Sequence, residues 1–212
     1  PFLALTASAT PKVKEDIIKE LGLNNPQIFQ KSFERPNIAY MTFEVEDKLF
    51  RIDQILKKNP QPSIIYVRNR KSCLDISSQL DSLGIKATFY HGGLSLKEKD
   101  KNMQLWMNET VQVIVATNAF GMGIDKANVK TVIHIQLPES LENYYQEAGR
   151  AGRNGEKAYA VLLTSPSDIV QAENQFIHVL PDRKFLNEMY IKLCNYFQIA
   201  YGEGINETFT FN

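Results

Sequence analysis

Short runs of branched apolar residues alternate along this chain with stretches whose apolar positions recur every three or four residues. That pattern predicts strands and helices in turn. The clearest alternation starts at the strand "SIIYV" (63–67), passes through a helix over about 71–83 and returns at "ATFY" (87–90). A helix over about 96–108 then leads to "VQVIVAT" (111–117), followed by "TVIHIQL" (131–137), a helix beginning near Ser140, and "AYAVLLT" (158–164). These strands are apolar almost throughout rather than every second residue, as expected of a parallel sheet covered by helices on both faces.

The two ends read differently. "FLALTA" (2–7) is strand-like, Thr10 with Pro11 forms an N-cap followed by proline at the first helical position, and "KVKEDIIKELGL" continues as a helix that stops near Gly22. "SFERPNIAY" (32–40) reads as a linker, because Pro36 biases its predecessor towards extended structure. Beyond Ser165 the pattern is helical, with "RKFLNEMYIKLCNYFQIA" (183–200) its strongest segment and "YGEGINE" (201–207) a turn. The chain opens without an initiator Met, and reads as a piece of a longer protein.

Composition narrows the function. Lys plus Arg equals Asp plus Glu at 24 each, so net charge gives no global case for nucleic acid or membrane, and any anion site must be local. The two cysteines, Cys73 and Cys194, are too far apart in sequence for a zinc-ligand pair, and so few do not make a disulfide scaffold. A reducing, cytoplasmic setting is expected. No apolar run approaches the roughly 20 residues that span a bilayer, so no membrane partner is expected.

Several chemistries are excluded by missing patterns. No G-x-x-x-x-G-K-[ST] phosphate loop and no D-E-x-[DH] magnesium run occurs, so this chain alone is not expected to hydrolyse a nucleotide. "GMGID" lacks the third glycine of a dinucleotide fingerprint. His91, His134 and His178 lie in separate elements without H-E-x-x-H spacing, and no metal site is predicted.

Ligands of parallel sheets bind beyond the carboxyl ends of the strands. Arg68 and Asn69, His91 with Gly92 and Gly93, and Thr117 with Asn118 stand there. His91 and its glycines either admit a phosphate backbone or form a plain turn; His134 reads as a core or strand-end residue. In "VATNAFGMGIDKANV" (115–129), Thr117 and the amides of Gly121 and Gly123 suit phosphate oxygens, and Asp125 suits a ribose hydroxyl. The competing reading is a sharp connection with glycine where the backbone is strained.

"SLENYYQEAGRAGRNG" (140–155) is more specific. Leu141, Tyr144, Tyr145 and Ala148 fall at helical spacing, so the aromatics read as core. Arg150 and Arg153 have no carboxylate four residues away on either side, against a simple intrahelical ion pair. Their planar forks suit a phosphate.

Taken in order, "LTASAT" (5–10), "SIIYVRNRKSCLDISSQL" (63–80), "FYHGGLS" (89–95), "VIVATNAFGMGIDKANVKTVIH" (113–134) and "YYQEAGRAGRNG" (144–155) resemble the motif series of superfamily 2 helicases. The AFGMGIDK and YYQEAGRAGR wording resembles the RecQ family. The resemblance covers about 1–165. It implies a RecA-like lobe 2 at 35–165, the C-terminal remnant of lobe 1 with a linker at 1–34, and a helical C-terminal extension at 166–212.

The resemblance also implies roles. Arg153 matches the arginine finger that reaches the γ-phosphate of ATP, Arg150 its companion, and Gln146 the polar residue that couples nucleotide state to lobe closure. Asp125 and Gly123 match the nucleotide-side loop, while Thr117, Arg68, Asn69, His91 and Gly92 match a grip on the DNA backbone. Ser8 and Thr10 match the motif coupling hydrolysis to strand movement. ATP and magnesium are the implied cofactors, held mainly by lobe 1, and single-stranded DNA and its duplex junction the implied partners. RecQ proteins commonly continue into a four-cysteine zinc module, but 165–212 holds only Cys194, so no zinc is expected there. The alternative is a non-catalytic RecA-like adaptor for nucleic acid or protein. "FLALTA", without its own sheet, is expected to be disordered, to pair with another edge, or to swap strands between copies.

Overall fold

The computed structural model of the chain describes residues 2–6, 9–30, 32–121, 124–177 and 179–200. The elements run α1 (Pro11–Glu20), β1 (Ile38–Glu44), α2 (Lys48–Lys58), β2 (Ser63–Tyr66), α3 (Arg70–Ser82) and β3 (Ala87–Tyr90). They continue through α4 (Leu96–Met107), β4 (Val113–Ala116), β5 (Thr131–His134), α5 (Leu141–Ala148) and β6 (Ala158–Thr164). Two compact units divide the chain, one spanning Pro1–Ser165 and the other Pro166–Asn212.

In the first unit a six-stranded sheet runs in the order β1-β6-β5-β2-β4-β3, and every pair in it is parallel. Alternate residues of each strand point to opposite faces, which sorts the core into two layers. Ile64, Tyr66, Ile114, Ala116 and Val132 face one way and pack with Trp106 of α4 and Ala148 of α5. Ile65, Val113, Val115, Ile133 and Leu163 face the other way and pack with Ile52 and Leu56 of α2 and Cys73 and Leu80 of α3. This is the α/β sheet with helices on both faces that the apolar strands predict. Ile52 and Leu56 are both at 0% exposure, and such side chains contribute about 1.5–3 kcal/mol each when fully buried, which docks α2.

The helix starts are side-chain caps. Asp47, Asn69, Ser140 and Thr10 each accept from the backbone N–H three residues on, in α2, α3, α5 and α1. At α4, Ser95 and Glu98 satisfy each other's backbone N–H groups reciprocally.

Three elements depart from the sequence expectation, one of them α2, which no expected helix covers. The stretch expected as a linker enters β1 at Ile38, whose edge position beside β6 leaves most of its residues at least partly exposed and so without a strong apolar signature. Residues 2–6 of "FLALTA" form no strand: the sheet closes on β1 and β3, and Phe2, Leu3 and Leu5 stay exposed. With α1 and Phe29 they line an apolar hollow.

The second unit holds α6 (Pro166–Ala172), a π-helical turn at Glu173–Ile177, and α7 (Arg183–Phe197), which Asp182 caps through the N–H of Phe185 at 2.7 Å. Ser8, Gly123, His178 and the "YGEGINE" turn lie outside the described residues.

Candidate functional site

The turn that follows α5 is held from three directions. Gly149 caps the helix, and Gly152 takes a φ of +57°, where a Cβ would lie 2.6 Å from Nδ2 of Asn37 and 2.8 Å from the Cβ of Ala158. Glycine at 152 therefore serves the chain's own packing rather than an approaching ligand. The N–H of Gly152 donates to the Val129 carbonyl at 2.9 Å and that of Asn154 to the Ala127 carbonyl at 3.0 Å. Those bonds place the turn beside the amino ends of β5 and β6.

Both arginines of this turn reach the connection between β4 and β5. Arg150 donates from Nη1 to the carbonyl of Gly121 at 2.7 Å, and its Nε is buried without a hydrogen-bond partner. Arg153 donates from Nη1 to the Ile124 carbonyl at 2.8 Å and pairs with Asp125 Oδ1 at 3.2 Å. Asp125 thus faces Arg153 in this state. Its side chain is 87% exposed and that of Arg153 35%, so the pair contributes little stability.

Beneath the turn, Tyr66 donates from its hydroxyl to the Phe120 carbonyl at 3.0 Å. Burial pushes its phenol up, opposed by the charge of Arg150. His134 stacks on Tyr66 with centroids 5.2 Å apart and meets Glu147 of α5, Nε2 to Oε2, at 2.8 Å. That contact ties α5 to β5. Gln146 is exposed on the same helix.

The residues expected to grip nucleic acid assemble at the carboxyl end of the sheet, after the adjacent strands β2, β4 and β3. Arg68 donates from Nε and Nη2 to the Leu137 carbonyl at 3.2 and 2.7 Å. Asn69 caps α3 through Ser72 N–H at 2.8 Å. His91 is buried against Phe89, and its Nδ1 has no hydrogen-bond partner. Gly92 accepts from Lys99 Nζ at 3.1 Å, and the buried Thr117 donates its N–H to the Tyr90 carbonyl at 3.2 Å. Burial raises the nearby Cys73 thiol to about 11, opposed by a hydrogen bond from the Thr117 backbone. Thr10 is the α1 cap, accepting from Val13 N–H at 3.3 Å. Among the described residues, no cluster of three His, Cys, Asp or Glu side chains converges as a metal would require.

Three side chains that the motifs did not single out prove central. Arg35 donates to the carbonyls of Gly149, Ala151 and Gly152 at 3.1, 3.1 and 3.3 Å. Asn37 donates to those of Gly152 and Glu156 at 2.7 and 2.9 Å. Lys126, at 7% exposure, donates to the Met107 carbonyl at 3.0 Å and pairs with Glu109 at 2.9 Å. Their acceptors are mostly main-chain atoms, which no side-chain pattern announces. Only the "DK" spelling (125–126), beside Gly121 and Gly123, gave a signal.

The first unit is thus a parallel sheet with an arginine turn after α5 and a polar cluster beyond the carboxyl ends of its strands. Residues 47–155 match the family described as helicase conserved C-terminal domain. The chain belongs to that family, in its RecQ-type branch. It is 44% identical to the RecQ-like DNA helicase BLM of Xenopus laevis over 176 residues, which is 81% of this chain and 13% of that protein. It is 41% identical to the ATP-dependent DNA helicase RecQ of Bacillus subtilis over 170 residues, 80% of this chain and 29% of that one. The chain therefore spans less than a third of either relative. Among solved structures it resembles S. cerevisiae Dbp5 bound to RNA and ADP BeF3, with TM-score 0.65 and 22% identity over 82% of this chain and 49% of that one. It also resembles the E. coli DEAD-box protein SrmB bound to RraA, with TM-score 0.57 and 23% identity over 68% of this chain and 85% of that one. At those identities the likeness is one of fold.

Proposed function

We propose that this chain is the second motor lobe of an ATP-dependent DNA helicase that moves 3′ to 5′, with Arg153 as its arginine finger and Arg150 as companion. One observation carries the reading. Arg153 stands on a turn fixed by main-chain bonds, yet its fork is part-exposed and held by an exposed carboxylate, so exchanging that partner for a triphosphate costs little. ATP with magnesium supplies the transferable phosphoryl group and neutralises charge on its oxygens. The residues here fit the phosphate oxygens rather than the metal, because the converging donors are guanidinium forks.

A finger in place only when a facing lobe closes makes hydrolysis and opening alternate, an effect worth about 10³–10⁵ in rate. Asp125 and Gly123 then border the nucleotide, and Gln146 reports its state. Thr117, Arg68, Asn69, His91 and Gly92 form the phosphate-backbone grip of this lobe at the carboxyl end of the sheet, with Ser8 and Thr10 on the coupling segment. Backbone contacts keep movement sequence-tolerant. The isolated chain has no ATPase of its own in this reading, and its 2–7 segment pairs with another edge or swaps between copies.

In the full-length protein, Arg153→Ala should keep nucleotide affinity while abolishing DNA-stimulated hydrolysis. Equal loss of binding and turnover would sink the finger role. Absence of both DNA-stimulated hydrolysis and unwinding of 3′-tailed duplex in the unmutated full-length protein would favour the non-catalytic adaptor reading instead.

A further inference from the structure

The turn bearing Arg150 and Arg153 ends a helix, and the end of a helix exposes carbonyl groups without intrahelical partners. Here side chains answer them. The guanidinium of Arg35 sits at the carboxyl end of α5, where a cation is favoured, and spreads its two terminal nitrogens over the carbonyls of Gly149, Ala151 and Gly152 at 3.1–3.3 Å. Asn37 adds the Gly152 and Glu156 carbonyls at 2.7 and 2.9 Å. One turn earlier, the hydroxyl of Tyr145 donates to the carbonyl of Phe33, whose ring meets that of Tyr145 edge-on at 6.0 Å. Residues 33–37 thus form a strap across α5 and its turn. They are also the only covalent route from α1 and the residues before it into β1.

We propose that Arg35 is a positioning residue for the arginine pair, and that the strap makes the attitude of the arginine turn depend on the chain segment preceding β1. The proposal rests on the finger reading of Arg153 and extends it. A fork bonded to three carbonyls of one turn fixes both its height and its twist, which one point contact does not. Displacement of the segment before Phe33 pulls on Arg35 directly. Arg35 contacts neither arginine's guanidinium, so its effect passes through the backbone of 149–152.

The test uses the full-length protein with Arg35→Ala, Arg35→Lys and Arg153→Ala. It measures kcat and KM for ATP at saturating single-stranded DNA, affinity for a fluorescent ATP analogue, and Tm. Arg35→Lys keeps the charge but loses the fork. Both Arg35 variants should lower kcat by about tenfold or more, the scale of a misplaced catalytic group, with KM and analogue affinity within about threefold. In an Arg153→Ala background, Arg35→Ala should add no further loss. Unchanged kcat in both Arg35 variants overturns the proposal. So does loss of kcat accompanied in both by loss of the cooperative melting transition, which assigns Arg35 to folding alone. The finger fails separately: wild-type hydrolysis by Arg153→Ala overturns it, and a kcat loss confined to the Arg35 variants would then leave the strap acting through Arg150.

Discussion

Arg150 and Gly121 are fitted to one another: Nη1 of the arginine donates to the glycine carbonyl at 2.7 Å, and a Cβ on that glycine would stand 2.5 Å from Nη2. The clash is with the far end of a flexible side chain, so the arginine moves and the backbone stays. Gly121→Ala should therefore leave Tm nearly unchanged. It should lower DNA-stimulated hydrolysis by about an order of magnitude, because displacement of about 1 Å at a catalytic group costs that much or more. Full activity with an unchanged melting curve would show that the placement of Arg150 is immaterial.

Asp125 offers a second discrimination. Its exposed pairing with Arg153 contributes at most about 1 kcal/mol, so Asp125→Ala should not change Tm measurably. If the pair only parks the arginine, DNA-free hydrolysis should rise by up to about fivefold, the factor equivalent to that energy. A raised KM for ATP with unchanged basal turnover would place Asp125 at the nucleotide instead.

Lys126 is expected to matter to stability. Its ammonium answers the Met107 carbonyl near the end of α4 and the Glu109 carboxylate, and lies 5.6 Å from the Trp106 ring centroid. The Asn128 amide, then Lys126 itself, hold the Glu109 carboxyl below its usual range. Lys126→Ala leaves the part-buried carbonyl unanswered and should cost about 1–3 kcal/mol, a fall of several degrees in Tm. Unfolding by urea gives the direct check.

The cap of α4 supplies a pH dependence. Hydrogen bonds from the Ser95 hydroxyl and backbone hold the Glu98 carboxyl below its ordinary value of 4.5. A depressed folded value means the stabilisation is complete above the unfolded value and disappears as pH falls through the folded one. Ser95→Ala should lower Tm by a few degrees at pH 7, and the gap to wild type should narrow below about pH 4. An equal gap at pH 3 and pH 7 would exclude the carboxylate from the cap.

Elements whose apolar residues are buried were legible from sequence: β2, β4, β5 and β6, and the helices with polar caps at Asn69, Ser95 and Ser140. The strand β1 was not, because an edge strand exposed on most of its length needs no apolar run. The helix α2 carried a readable signal in Asp47 followed by Leu49, Ile52 and Leu56, and went unread beside the linker-like stretch. At the site, the motifs brought Arg150, Arg153 and Asp125 together as residues, and the structure brings them together in space. Arg35 and Asn37 stayed hidden because they recognise carbonyl oxygens more than a hundred positions away. A carbonyl is the same in every residue, so sequence leaves it unmarked.

The connection that leaves β4 at Thr117 and later meets Arg153 at Asp125 starts at one end of the sheet and runs towards the other. One continuous piece of backbone therefore has its two ends in two different neighbourhoods. Thr117 and Asp125 lie on one loop, so the strand-end cluster and the partner of Arg153 share a single connection.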